Sequence, residues 1–192
     1  VIHDPYFQNG LRNTLIYVTT VVPISTCLSL LFANLLNQKI KGIAFFQTAY
    51  FLPLVTSTTA VGLVWKLMFN TKIGVINFLL SLVGIPPVDW LLNPSMNIYA
   101  LIIYGIWNMM PFTIILLLSG LQNIDPLYYT AAKVDGASTT KIFMRITVPL
   151  LAPTIFLTII INTISSSKVF TELFPLFSGR PGTAYTLYTV VY

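Results

Sequence analysis

The sequence predicts an all-α, polytopic membrane helix bundle, on three observations. Only 8% of the 192 residues are charged and 56% are hydrophobic, whereas a soluble domain carries roughly 25% charged residues. So few charges cannot cover a water-exposed surface, so lipid or apolar protein must surround most of the chain. Charge-free intervals are long: 26 residues between Arg12 and Lys39, 24 between Lys41 and Lys66, 35 between Asp89 and Asp125, and 22 between Arg145 and Lys168. Each meets the about 20 apolar residues that a spanning helix needs. The third observation is a polar elbow, Asp125 to Pro153, between two of these runs. It holds Asp125, Lys133, Asp135, Lys141 and Arg145, with nothing acidic after Asp135 to neutralise the last two.

The predicted spans follow in order. The first covers about 13–36, with Pro23 bending it as lipid-embedded helices tolerate. The second covers about 43–69, with Pro53 in its middle and the polar patch Thr56–Thr59 just after. The third covers about 97–118 and contains Pro111, and the fourth covers about 149–170. Between the second and third, 73–88 is uncharged for 16 residues but holds Gly74, Gly84, Pro86 and Pro87. It is too short and broken to span, and reads as an interfacial or re-entrant segment with Trp90 as an anchor at headgroup depth. The tail is mixed: 178–182 is a Ser-Gly-Arg-Pro-Gly turn, and 186–192 could begin a further helix. No signal peptide is visible at the start, and the first residue is not Met, which reads as a fragment.

Composition excludes several functions. The net charge is +5, but the basic residues are scattered, so a nucleic-acid partner is not expected. The single Cys27 excludes an intramolecular disulfide and a cysteine metal cage, and reads as a small buried apolar residue. His3, the single histidine, has no second ligand near it. No glycine-rich phosphate loop ending in Lys-Ser or Lys-Thr is present, so no ATP hydrolysis and no bound cofactor is expected on this chain. With one His, one Cys and five unpaired carboxylates, a membrane-embedded enzyme lacks a catalytic cluster. A secondary transporter or other multi-pass protein remains the alternative, but it predicts internal repeats and an ionisable group at mid-span.

Orientation rests on the basic loops. The links 37–42 and 121–148 hold Lys39, Lys41, Lys133, Lys141 and Arg145, against Arg12, Lys66, Lys72 and Arg180 on the other side. The positive-inside rule puts 121–148 in the cytoplasm.

The elbow predicts two short helices. Asp125 caps the first and Pro126 fits its first position; Ala131 and Ala132 are strong helix formers; Gly136 ends it in the left-handed conformation. Ser138 caps a second helix from Thr139 to about Thr147. Small alanines allow close approach, and Tyr128 and Tyr129 offer rigid contact area. Polar residues at membrane depth are candidates for a solute pathway: Asn108, Asn162, Ser165, Ser166 and the patch 56–59, of which Thr58 is the representative. Their hydroxyls and amides can exchange hydrogen bonds with a sugar; the bland alternative is bonding between helices. Lys168 and Glu172, four apart, suit an ion pair on one helix face near the outer boundary.

The segment Thr130-Ala131-Ala132-Lys133-Val134-Asp135-Gly136-Ala137 resembles the cytoplasmic signature of permease subunits of binding-protein-dependent ABC importers, Glu-Ala-Ala, three residues, Gly. Phe143, Ile146, Pro149 and Pro153 continue the likeness. Thr130 departs from it, standing where the family usually has glutamate. The stretch 46–53, Gly74 to Asn77, Trp90, Asn108 and the 178–182 turn look like the subgroup that imports sugars and glycerol phosphate, the maltose-transporter-like large permease. The resemblance implies a maltose-permease-like core, with one more helix before residue 13 and one after 192. It implies that Tyr128, Tyr129, Thr130, Ala131, Ala132, Asp135, Gly136 and Ala137 contact a separate ATPase. It further implies two copies of that cytoplasmic ATPase, which bind ATP, a second permease subunit, an extracellular or periplasmic solute-binding protein, and a location in the cell membrane.

Overall fold

The computed structural model describes residues 5–37, 43–168 and 173–177. The described residues form helices and no strand: α1 (Pro5–Leu36), α2 (Ile43–Val55), α3 (Thr58–Met68), α4 (Val75–Leu82), α5 (Asn97–Gln122), α6 (Pro126–Val134), α7 (Thr139–Ile142), a π-helical segment (Phe143–Thr147), α8 (Val148–Ser167) and α9 (Leu173–Phe177). The predicted Lys168–Glu172 pair, the link 37–42 beyond Asn37, the 178–182 turn, the 186–192 segment and His3 lie outside the described residues. Three stretches are long and apolar enough to cross a membrane: Phe7–Leu36, Asn97–Gln122 and Thr139–Ser167.

α1 starts at Pro5, a turn or more before the apolar run predicted it. Proline suits a first helical turn, so the polar Gln8, Asn9 and Arg12 extend the helix beyond its apolar part. α5 continues to Gln122 and ends before Asp125-Pro126, where the residue preceding proline disfavours the helical region.

The predicted single helix 43–69 is two helices instead. Pro53 withholds one backbone donor, Thr56 N–H turns to Pro53 O at 3.3 Å, and the Thr56 hydroxyl donates to Leu52 O at 2.9 Å. Ser57 then adopts φ −58°, ψ 128°, and α3 begins. The predicted pathway patch 56–59 thus straddles the break, and the Thr56 hydroxyl bonds back into α2 there.

α1, α5 and α8 pack on one another and form the frame of the bundle; α2 packs on α5, and α3 on α9. The buried stripe of α1 runs Tyr17, Val21, Ser25, Ser29 and Ala33, a four-residue spacing that stays on one helix face. Its small residues let backbones approach, as in membrane helix pairs. Ser29 donates to Met110 O of α5 at 3.5 Å. Two apolar clusters stack along α5. One joins Tyr17, Val21, Trp65, Phe69, Ala100, Leu101 and Tyr104. The other joins Ala33, Met110, Ile114, Leu117, Leu121 and Leu151. α8 turns Phe156, Leu157, Ile159, Ile160 and Ile164 outward.

Cys27 is exposed, on the outer face of α1, which corrects the expectation of a buried residue. It falls off the buried stripe set by Ser25 and Ser29. Trp90, read as an anchor at headgroup depth, is half-buried against the protein. Its ring packs on Phe69 with centroids 5.8 Å apart, and its indole N–H donates to Asn77 Oδ1 at 2.9 Å.

Asn77 organises this end of the bundle. Its amide donates to Val88 O at 2.9 Å and to Thr71 O at 3.3 Å, and its carbonyl also accepts from Val88 N at 3.2 Å. One buried side chain therefore ties α4 to the strands of loop on both sides. Asn77→Ala strands the Trp90 indole and Val88 N–H; each buried unsatisfied group costs about 1–3 kcal/mol. The expected result is a clear fall in the melting temperature of the detergent-solubilised protein, and an unchanged melting curve would contradict this role.

Candidate functional site: a polar cavity and a capped elbow

Between the two apolar clusters, α1, α5 and α8 leave a cavity of about 200 Å³ lined by Tyr17, Gly105, Asn108, Met109, Phe112, Asn162 and Ser165. Three residues predicted for a pathway, Asn108, Asn162 and Ser165, therefore share one space. Gly105 makes room for it: a Cβ at this position would overlap the Tyr17 hydroxyl. Gly105→Ala should push Tyr17 off the α5 backbone, lowering thermal stability and narrowing the cavity. Thermal unfolding and transport measured on the same preparation check both.

Asn162 is buried and held by its neighbours. Its amide donates to the Thr113 hydroxyl at 3.0 Å. The single hydroxyl proton of Thr113 lies within reach of Met109 O at 3.0 Å and of Asn162 Oδ1 at 3.3 Å. Asn162 has two amide hydrogens and two carbonyl lone pairs, so this pairing leaves capacity facing the cavity. Asn108 is half-buried and Ser165 is exposed. The cavity thus combines hydroxyl and amide groups with an aromatic ring from Phe112 and one from Tyr17, and presents no charge.

Ser166 does not line this space. Its hydroxyl donates to Asn162 O at 2.6 Å and lies 3.6 Å from Met109 Sδ, so it staples α8 to itself and to α5. Thr58 is not in the cavity either; it opens α3. Thr56 lines a separate, apolar hollow with Leu52, Pro53, Ala60, Trp65 and Trp107. Thr113, Tyr17 and Phe112 escaped sequence reasoning, because a lone hydroxyl or ring in an apolar helix carries no mark of which way it faces.

At the far end of α5 the elbow has the local chemistry that its sequence predicts. The Asp125 carboxylate accepts from Leu127 N at 2.8 Å, with Pro126 at the first helical position. Gly136 has φ +70°. Ala137 N–H bonds Ala132 O at 2.9 Å and Gly136 N–H bonds Lys133 O at 3.1 Å, the paired closure of a glycine-ended helix. Ser138 accepts from Lys141 N at 3.4 Å. Thr130, where a carboxylate would stand in the resembled signature, donates its hydroxyl back to Pro126 O at 3.2 Å.

α6 presents two faces. Ala132 is 7% exposed and Tyr129 is half-buried, with the Thr147 hydroxyl donating to the Tyr129 oxygen at 3.4 Å. Leu127, Tyr128, Ala131, Asp135 and Gly136 are exposed, Val134 is 83% exposed, and Ala137 is half-buried. Ala132 thus faces inward. The surface open to another molecule is Leu127, Tyr128, Ala131 and Val134.

The second helix of the elbow and the last long helix are continuous. Sequence reasoning separates a helix ending near Thr147 from one beginning near Pro149; the structure joins them through the π-helical turn, where Val148 N–H bonds Phe143 O. Pro149 lacks a donor and its ring crowds the carbonyl four residues back; the wider turn relieves that crowding. α7 thus has an unbroken helical path into α8, which holds Asn162 and Ser165, and α6 joins it through the Gly136 turn.

Apolar helices around an uncharged polar cavity, with a capped helix linked to one of them through a tight turn, suit a membrane transport component. The chain belongs to the family of binding-protein-dependent transport system inner membrane components, whose pattern matches residues 9–190. It is 38% identical over 165 residues to the trehalose/maltose transport system permease protein MalF of Thermococcus litoralis, covering 86% of this chain and 56% of that protein. It is 36% identical over 191 residues to the lactose transport system permease protein LacF of Rhizobium radiobacter, covering 98% and 64%. The chain therefore spans under two-thirds of each of these relatives. A chain of a bacterial ABC transporter involved in import of the acidic polysaccharide alginate superposes with a TM-score of 0.84 at 26% identity, covering 99% of this chain and 66% of that one.

Proposed function

We propose that this chain is the core of a multi-pass permease subunit in the cytoplasmic membrane, part of an ATP-driven importer of a sugar or oligosaccharide. The cavity lined by Asn108, Asn162 and Ser165 forms part of the solute pathway. The observation that carries this reading is the continuity of α7, the π-helical turn and α8, to which α6 is tied through the hydrogen-bonded Gly136 turn. It couples an outward-facing apolar patch to a helix that lines the cavity. The patch docks on a cytoplasmic ATPase, present in two copies, and a second permease subunit completes the pathway. A solute-binding protein outside the membrane delivers the cargo. The structural match to the alginate transporter includes a complex with a periplasmic protein carrying an alginate pentasaccharide, which supports such a partner by similarity.

ATP is bound and hydrolysed on the ATPase, and this chain contributes no cofactor. ATP can bias the permease only if the ATPase contacts α6 differently in its two states. The cavity's uncharged donors and acceptors suit hydroxyl-rich cargo, since each hydroxyl both donates and accepts. The assembled transporter in proteoliposomes, supplied with its binding protein and a panel of labelled oligosaccharides and amino acids, tests this. Uptake of a carbohydrate that requires ATP on the ATPase side is expected. Uptake driven by an ion gradient without ATP would favour a secondary transporter instead.

A further inference from the structure

At the opposite end of α5 from the elbow, α4 carries an apolar face that is left exposed among the described residues. Val75, Phe78, Leu79 and Leu82 are all exposed, Phe78 at 63% and Leu82 at 69%. At about 100° of rotation per residue these four cover one arc of about 100°. Asn77 is buried on the other side, and its four hydrogen bonds to Thr71, Val88 and Trp90 prevent α4 from rolling that arc inward. The exposed apolar surface continues through Ile73 and Val83.

We infer that α4 is an interfacial helix, seated with this arc in the acyl boundary of the outer membrane leaflet. Three features favour lipid over a protein partner. The arc offers no hydrogen-bonding group, and the neighbouring Ser81 spends its hydroxyl on Phe78 O at 2.7 Å; an interface with a soluble protein normally needs such groups. α3, which packs beside α4, likewise exposes Leu63, Val64 and Leu67, so the two neighbouring helices both offer apolar side chains to a hydrocarbon surrounding. Lys72, exposed immediately before Ile73, complements lipid phosphate, with its stem along the apolar surface. The expected consequence is that bilayer contact fixes the height of the outer loop, because Asn77 clamps α4 to Val88 and Trp90.

Nitroxide labels test the assignment on the assembled transporter in phosphatidylglycerol–phosphatidylcholine nanodiscs, with Cys27→Ser as background. Labels are placed at Phe78→Cys, Leu82→Cys and, as an aqueous reference, Ser95→Cys, an exposed position in the turn before α5. Oxygen should relax the labels at 78 and 82 more than a water-soluble nickel chelate does, with the order reversed at 95. Nickel dominating at 78 and 82 would place the arc in water and overturn the assignment. Exclusion of both reagents there would mean that protein covers the arc, which also overturns it. Failure of sugar transport in the same sample would leave this result standing, since the readout is of position, not activity.

Discussion

Gly136→Val is expected to leave membrane insertion and yield close to normal while sharply reducing coupled transport. The residue has φ +70°, and a Cβ there meets nothing within 4 Å. The substitution therefore acts through backbone strain alone. The left-handed region costs an L-residue roughly 1–2 kcal/mol, and a β-branched residue is a genuine outlier there. Relief requires a rotation that loosens Ala137 N–H to Ala132 O and Gly136 N–H to Lys133 O, and so redirects α7 relative to α6. The apolar segments that insert are untouched. A loss of about 1.4 kcal/mol in state-dependent contact energy is a factor of ten, so binding-protein-stimulated ATPase activity and uptake should fall by about tenfold or more. Gly136→Asn, whose side chain tolerates this conformation, should retain most activity. Equal uptake in the valine variant and the parent would remove the elbow from the mechanism.

The second large effect is expected at Asn162. Replacement by leucine removes an amide that faces both the cavity and Thr113. Thr113 keeps its bond to Met109 O at 3.0 Å, and interhelical hydrogen bonds in membrane proteins average about 0.6 kcal/mol. Stability should therefore change little. Transport should fall, because each hydrogen bond lost to the cargo is worth about 0.5–1.5 kcal/mol, while the affinity of the binding protein stays unchanged. The reverse pattern, a lowered melting temperature with normal uptake, would make Asn162 a fastener between helices only.

The parts of this protein governed by neighbouring residues were legible in the sequence. Asp125, Pro126, Gly136 and Ser138 act within a few residues of themselves, and the structure gives each the cap or turn its chemistry requires. Asn108, Asn162 and Ser165 stood out because amides and hydroxyls are costly inside apolar helices, and they converge on one cavity. What depended on distant packing was not legible. Ala132 reads as a contact residue until α6 folds and turns it inward. The bond from the Trp90 indole to Asn77, thirteen residues away, has no local signature. The break at Thr56–Ser57 follows a proline that membrane helices often absorb, and the π turn before Pro149 has no signature beyond the proline itself. Thr58 had the same chemistry as the cavity residues and was separated from them by that break.

The central claim is that the outward face of α6 receives a nucleotide-driven partner. It is tested most directly by single cysteines at Val134 and Ala132, in the Cys27→Ser background, with a short thiol crosslinker in the assembled transporter. Val134→Cys should form a covalent adduct with the ATPase subunit, with a yield that changes when ATP is added, and the inward-facing Ala132→Cys should form little. No adduct from Val134→Cys in any nucleotide state, or modification of it by an impermeant reagent from the extracellular side, would contradict the account.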